Sequence, residues 1–145
     1  MARIEISKFE PLFTIGLAAE RLGISVMALR MYEQRGLILP HRTESGRRHY
    51  SVHDLELVLC IREMINGEGL NIEGVRRLMA LMPCWKWKKC SRADRDKCIA
   101  YTEQVAPCWS LEETACRRRD EDCRECRVYQ ELPECKSLKL MLHGK

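Results

Sequence analysis

The chain has 145 residues, 46% of them apolar and 32% charged, and its 25 Lys and Arg against 21 Asp and Glu leave a net charge of +4. That length suits one ordinary domain or two small ones, and the mild positive charge permits a nucleic-acid partner without demanding one. No apolar run reaches the roughly 18 residues of a membrane span, and the N-terminus MARIEISKFEPLF lacks the apolar stretch of a secretory signal, so the expectation is a cytoplasmic protein with no membrane partner.

Cysteine divides the chain. Residues 1–82 hold only Cys60, whereas residues 83–135 hold eight, together with Trp85, Trp87 and Trp109. Pro83 marks the boundary, because proline disfavours helix at the residue before it. The expected organisation is an N-terminal arm over 1–12, a helical unit over 13–82, a cysteine-rich unit over 83–135 and a tail over 136–145.

In chain order, Thr14 caps a first helix whose buried face is Ile15, Ala18, Ala19 and Leu22, at the i, i+3, i+4, i+7 spacing. Gly23 ends it. Ser25 caps a second helix running to about Arg35, which Gly36 stops. Two short helices with glycine in the turn make a helix-turn-helix. Leu37–Ile38 and His49–Tyr50 read as strand ends around a polar ESG turn, a small hairpin. Ser51 starts a third helix, with Asp54 as the capping-box acid and a stripe of Leu55, Val58, Ile61 and Ile65. GEG at 67–69 breaks it. Asn71 caps a fourth helix, buried through Ile72, Val75, Leu78, Met79 and Met82. Cys60, among apolar residues on the third helix, reads as a small core residue.

This order is that of a winged helix-turn-helix. The stretch FTIGLAAERLGISVMALRMYEQRGLILPHRTESGRRHYSVHDLELVLCIREMINGEGLNIEGVRRL closely resembles the DNA-binding domain of the MerR family of bacterial transcription regulators, over residues 13 to about 82. The family pattern LRYYE–GL–P–R–GYRRYS appears as LRMYEQRGLILPHRTESGRRHYS, and LRMYE with GLNIEGVRRL is most similar to the heat-shock-repressor branch. The resemblance implies a double-stranded DNA operator as partner, with the second helix in the major groove and phosphate contacts holding its register. Met27, Ala28, Arg30 and Met31 are the exposed positions expected on that helix. Arg30 matches the family's backbone-contacting arginine, and Tyr32 matches the second tyrosine of the family pair. Met31 replaces the first, which removes a hydroxyl. The wing carries Arg42, Arg47, Arg48, His49 and Tyr50, and guanidinium groups there suit bidentate phosphate contact. Thr14 and Ser25 complete the candidate DNA-binding set. Taken singly, Arg47 and Arg48 fit a solvated turn, and Tyr32 fits a core position.

The resemblance also implies a homodimer on a two-fold operator, with RNA polymerase as a further candidate partner. Many such proteins dimerise through a long coiled coil after the fourth helix. Here Pro83 and the cysteines follow at once, so a dimer contact has to come from the back half or from the winged unit.

The back half holds an imperfect repeat. PCWKWKKC…CIAY supplies Cys84, Cys90, Cys98 and Tyr101, and PCWSLEETAC…CRVY supplies Cys108, Cys116, Cys126 and Tyr129. Cys123 and Cys135 stand outside the register. In a reducing compartment, clustered cysteines are more often metal ligands or redox groups than disulfides. These eight are therefore the candidate metal ligands, for an iron–sulfur cluster or for zinc. No histidine lies between His53 and His143, which argues against mixed Cys/His fingers. Few aliphatic residues separate the cysteines, so metal would supply folding energy. Neither a C-x₂-C-x₂-C run nor paired C-x₂-C knuckles is present, and the spacing leaves the metal open. The segment resembles a short cysteine-rich "two-CW" type domain over roughly 83–130. Trp85 and Trp109 fit either a water shield for the cysteines or simple packing. The basic runs KWKK and RRR fit solvated faces.

The expected fold is thus mainly α: a winged helix-turn-helix followed by a small metal-stapled cysteine-rich domain. The expected function is a sequence-specific transcription regulator whose cysteine-rich half binds metal or a cluster and senses redox or metal state. The alternatives are a purely structural zinc module for dimerisation or partner binding, a reversible metal or thiol-stress sensor, and a small DNA-associated redox enzyme. The last has little support: CREC lacks a βαβ setting and no nucleophile–base set has usable spacing, so no catalytic residue is assigned.

Overall fold

The computed structural model describes residues 2–103 and 105–132. Cys135 and the tail over 136–145 lie outside the described residues. Strand β1 (Phe13–Thr14) leads into α1 (Ile15–Leu22) and α2 (Val26–Gln34). The wing follows as β2 (His41–Arg42) and β3 (Arg48–Tyr50), then α3 (Val52–Asn66) and α4 (Ile72–Ala80). Among the described residues, no helix is long and apolar enough to cross a membrane.

Each of α1–α4 starts where a side chain satisfies a free N–H of the first turn. The Thr14 hydroxyl accepts from Leu17 at 3.3 Å, Ser25 accepts from Ala28 at 3.0 Å, and Asn71 accepts from Gly74 at 2.7 Å. Ser51 and Asp54 form a reciprocal capping box at 3.1 and 2.9 Å.

The hairpin differs from the sequence expectation. Leu37 and Ile38 are not strand; they are fully buried in the core. The reason lies in the end of α2. Gly36 takes a left-handed φ of 74°, its N–H bonds to the Glu33 carbonyl at 2.9 Å, and the Leu37 N–H bonds to the Tyr32 carbonyl at 3.0 Å. This double closure is a Schellman motif. It uses the Leu37 N–H that a strand would have needed. Pairing therefore starts at His41, opposite His49. The unexpected β1 pairs with β3, Phe13 opposite Tyr50, so the sheet order is β1-β3-β2.

The third helix is also buried more widely than a single stripe. His53, Asp54, Leu57, Val58, Cys60, Ile61 and Met64 are all buried, while Leu55 and Ile65 are half-buried. The extra burial near its start comes from the back half: Trp109, Val128, Tyr129 and Leu132 share one core with α1–α4.

That back half is a chain of single turns: α5 (Cys84–Trp87), α6 (Arg92–Asp96), α7 (Ile99–Thr102), α8 (Ala115–Arg118) and α9 (Arg127–Gln130), with 3₁₀ turns at Cys108–Ser110 and Cys123–Glu125. The sequence repeat is visible in space. Cys84 and Cys108 each open a turn after proline, and Cys98 and Cys126 each sit at the start of a C-x-x-Y helix. Trp85 meets Tyr101 edge-on with centroids 5.0 Å apart, and Trp109 meets Tyr129 edge-on at 5.4 Å. Edge-to-face pairs of this kind contribute about 0.5–1.5 kcal/mol each beyond area burial. The copies diverge at the middle cysteine. Cys90 precedes the Ser91 cap of α6, whereas Cys116 follows the Thr114 cap of α8.

Candidate nucleic-acid interface and cysteine cavity

The face formed by α2 and the wing carries the candidate DNA-binding residues in three different settings. Met27 is 80% exposed; Arg30 and Arg47 are also exposed and, among the described residues, make no ion pair. These two guanidinium groups are free for phosphate. Ala28, expected among the exposed positions, is instead half-buried.

Arg42 and Arg48 are instead held by Glu33 on α2. Arg42 Nη2 donates to Glu33 Oε1 at 2.9 Å, and Arg48 Nε donates to Oε2 of the same carboxylate. One acid on the second helix thus ties down both strands of the wing. Nothing in the linear pattern marks Glu33 as this tether; only the approach of β2 and β3 to the end of α2 reveals it.

Tyr32 and Tyr50 lie inside. Tyr32 is 3% exposed, and its hydroxyl accepts from Arg62 at 3.4 Å. Tyr50 is fully buried, and among the described residues its hydroxyl has no hydrogen-bond partner. Burial, with the nearby Glu33 carboxylate adding to it, pushes the Tyr50 phenol up to about 12. His49 is half-buried, with Nδ1 also lacking a partner. Thr14 and Ser25 are exposed, but their hydroxyls serve their own helices.

Of the candidate metal ligands, Cys84, Cys90, Cys98, Cys108, Cys116, Cys123 and Cys126 are described, all as free thiols. Six of them line one small cavity of about 30 Å³, room for only a few atoms. Cys90 is absent from the lining, consistent with its displaced place in the repeat. A hydrogen bond between Cys84 and Cys108 draws Cys84 down to about 7 and, with burial, holds Cys108 well above the usual thiol range. Burial, then a hydrogen bond to Glu121, pushes Cys116 up to about 11. Burial also raises Cys123. Lys88 sits at the rim in an ion pair with Glu121, and that bond depresses the carboxyl. The donors are sulfur without imidazole, the set that selects thiophilic metals. They are spread around the walls: among the described residues, no three of His, Cys, Asp or Glu form a group able to hold one metal ion.

The cavity wall reaches the winged unit directly. Trp109 follows Cys108 in the chain and lines the cavity, while its indole N–H donates to the Gly36 carbonyl at 2.8 Å. Tyr129, three residues past Cys126 on α9, donates to Asp54 Oδ1 at 2.8 Å and accepts from the Leu39 N–H at 2.9 Å. His53 Nε2 donates to the Gln130 carbonyl at 3.0 Å, and Arg124 donates to His41 at 2.6 Å. The sequence carries no hint of these partners, because they lie 73 or more residues apart.

Comparison with known proteins agrees with the geometry of the front unit. Residues 13–81 match the family described as MerR HTH family regulatory protein. The chain is 34% identical over 77 residues to HspR of Streptomyces coelicolor, named as a heat shock protein, which covers 53% of this chain and 51% of that one. It is 32% identical over 71 residues to the HTH-type transcriptional regulator GlnR of Bacillus cereus, covering 49% and 54%. It is 38% identical over 96 residues to the heavy metal-dependent transcription regulator 2 of Rhizobium meliloti, covering 63% and 59%. The chain spans about half the length of the curated relatives it matches. With its capped helix pair, two-stranded wing and matched sequence, the segment over residues 13–81 carries the helix-turn-helix domain that the MerR family model describes.

Proposed function

We propose that the protein is a DNA-binding transcription regulator, rather than an enzyme, in which a thiol-lined cavity holds a metal centre and reports its state to the DNA-reading unit. The observation that carries this reading is the convergence of Cys84, Cys98, Cys108, Cys116, Cys123 and Cys126 on one cavity whose wall is bonded to the winged unit. Arg30 and Arg47 offer unpaired charge to phosphate, and the arginines held by Glu33 pre-set the wing. Six thiols without imidazole suit a thiophilic centre, an iron–sulfur cluster or zinc. Such a centre would supply redox or metal responsiveness. The regulator then works in the cytoplasm as a homodimer on a two-fold operator.

Two measurements test this. Duplexes selected by the full chain from random sequence should show one recurring motif, bound far more tightly than unrelated DNA. Anaerobic purification with iron, zinc and sulfide analysis should give iron with acid-labile sulfide. A colourless protein holding zinc would leave the cavity a structural module. A chain with no metal, or no sequence preference, refutes the corresponding half of the reading.

A further inference from the structure

Among the described residues, Trp109, Tyr129 and Arg124 of the back half hydrogen-bond through their side chains to the DNA-reading unit, and the first two, both from the second repeat copy, reach the segment between α2 and β2. We propose that Trp109 and Tyr129 are positioning residues that transmit the state of the cysteine cavity to the joint between the second helix and the wing. This rests on the reading of the cavity as the sensing site, and it goes further by naming the route.

The joint is short. Helix α2 ends at Gln34, and strand β2 begins at His41. Between them, the Gly36 carbonyl accepts from the Trp109 indole and the Leu39 N–H donates to the Tyr129 hydroxyl. The second copy therefore grips both halves of the segment that sets the angle between recognition helix and wing. Tyr129 adds a third hold, on the Asp54 carboxylate that caps α3. Trp109 and Tyr129 are fixed to each other by edge-on packing. Each is also a near neighbour in sequence of a cavity cysteine, Cys108 and Cys126. A shift of either cysteine moves its aromatic partner, because single-turn elements leave little slack between them.

The first copy shows what the device looks like without this role. Trp85 and Tyr101 make the same edge-on pair, yet among the described residues neither side chain hydrogen-bonds to the winged unit, and Tyr101 has only Arg95 over its ring. The two copies share a fold but divide the work: the first closes the cavity, and the second also holds the joint.

Tyr129→Phe keeps the ring and removes its hydrogen bonds; Trp109→Phe keeps an aromatic face on a smaller ring and removes the indole N–H. The test compares the full-length wild type and each variant, as purified and after removal of metal with a chelator. Affinity is read on the duplex that wild type selects, and amide exchange is read at Leu39. In wild type, stripping should weaken binding by about tenfold or more, a usual size for coupling between sites, and should speed exchange at Leu39. In the variants the ratio of loaded to stripped affinity should fall towards one, with metal per chain unchanged. A merely structural role would lower both affinities together and leave the ratio as in wild type. That outcome, or a Leu39 amide indifferent to stripping in wild type, overturns the proposal. A chain purified without metal refutes the reading of the cavity but not the coupling. Iodoacetamide blocking of the thiols is then the perturbation, read through the ratio of unblocked to blocked affinity. A ratio that falls towards one in the variants supports the route, and a ratio equal to that of wild type overturns it.

Discussion

Gly36 is the position where the end of α2, the back half and the proposed route between them meet, and replacing it with alanine tests all three. Two separate effects add. The left-handed φ of 74° disfavours any residue with a Cβ, at about 1–2 kcal/mol. A Cβ built there would also lie 2.5 Å from the Ser110 Cβ, so the 3₁₀ turn carrying Trp109 must shift, at about 1–3 kcal/mol for overpacking. The expected loss is therefore roughly 2–5 kcal/mol. Gly46 supplies the control. Its φ of 81° is equally left-handed, but nothing lies within 4 Å of its notional Cβ, so Gly46→Ala should cost only the backbone part. Urea unfolding followed by far-ultraviolet circular dichroism gives both values from the midpoints and slopes. The double substitution Gly36→Ala with Ser110→Gly should recover the clash part and leave the backbone part. If Gly36→Ala proves no worse than Gly46→Ala, the docking of the 3₁₀ turn on the end of α2 is refuted.

Arg30→Ala and Arg47→Ala should each weaken DNA binding and lower the slope of log affinity against log salt by about one, without moving the urea midpoint; unchanged slopes would remove both from the interface. Tyr50→Phe deletes a buried hydroxyl with no partner, so stability at neutral pH should hold or rise, by up to about 1 kcal/mol. The same variant tests the pH dependence. With the folded phenol pushed up to about 12 from an ordinary value of 10, its stabilising contribution is complete below pH 10 and is lost as pH rises towards 12. Tyr50→Phe should therefore lose less stability than wild type over that window, and equal losses would contradict the burial of the hydroxyl. Cys116→Ser should lower metal per chain, whereas Cys90→Ser should not, because only the former lines the cavity; equal losses would mean the repeat is symmetric in its ligands.

Local signals are legible where the physics is local. Thr14, Ser25, Ser51 and Asn71 cap helices because a short polar side chain can reach an N–H three residues on, whatever the remaining fold does. Gly23 and Gly36 stop helices for an equally local reason, a left-handed φ of 67° and 74° that glycine adopts without a Cβ clash. Leu37–Ile38 misleads, since an apolar pair beside a polar turn reads as strand, while the closing hydrogen bonds of α2 compete for the same backbone. Burial around Asp54 is invisible in the linear pattern, because the group that covers it, Tyr129, is 75 residues away.

The sequence by itself determined the helix order, the wing and the family resemblance of residues 13–81. It also determined the paired CW…C-x-x-Y copies, since these depend on spacing and caps that neighbours in the chain satisfy. Only the tertiary structure decided that six of the described candidate cysteines face one cavity and that Cys90 does not line it. It alone showed that Glu33 binds two wing arginines, and that the second copy, not the first, bonds to Gly36, Leu39 and Asp54. The physical reason is that two nearly identical motifs carry the same local instructions. Their roles separate only when one of them finds a buried carbonyl, amide and carboxylate to bond, and those partners come from distant parts of the chain.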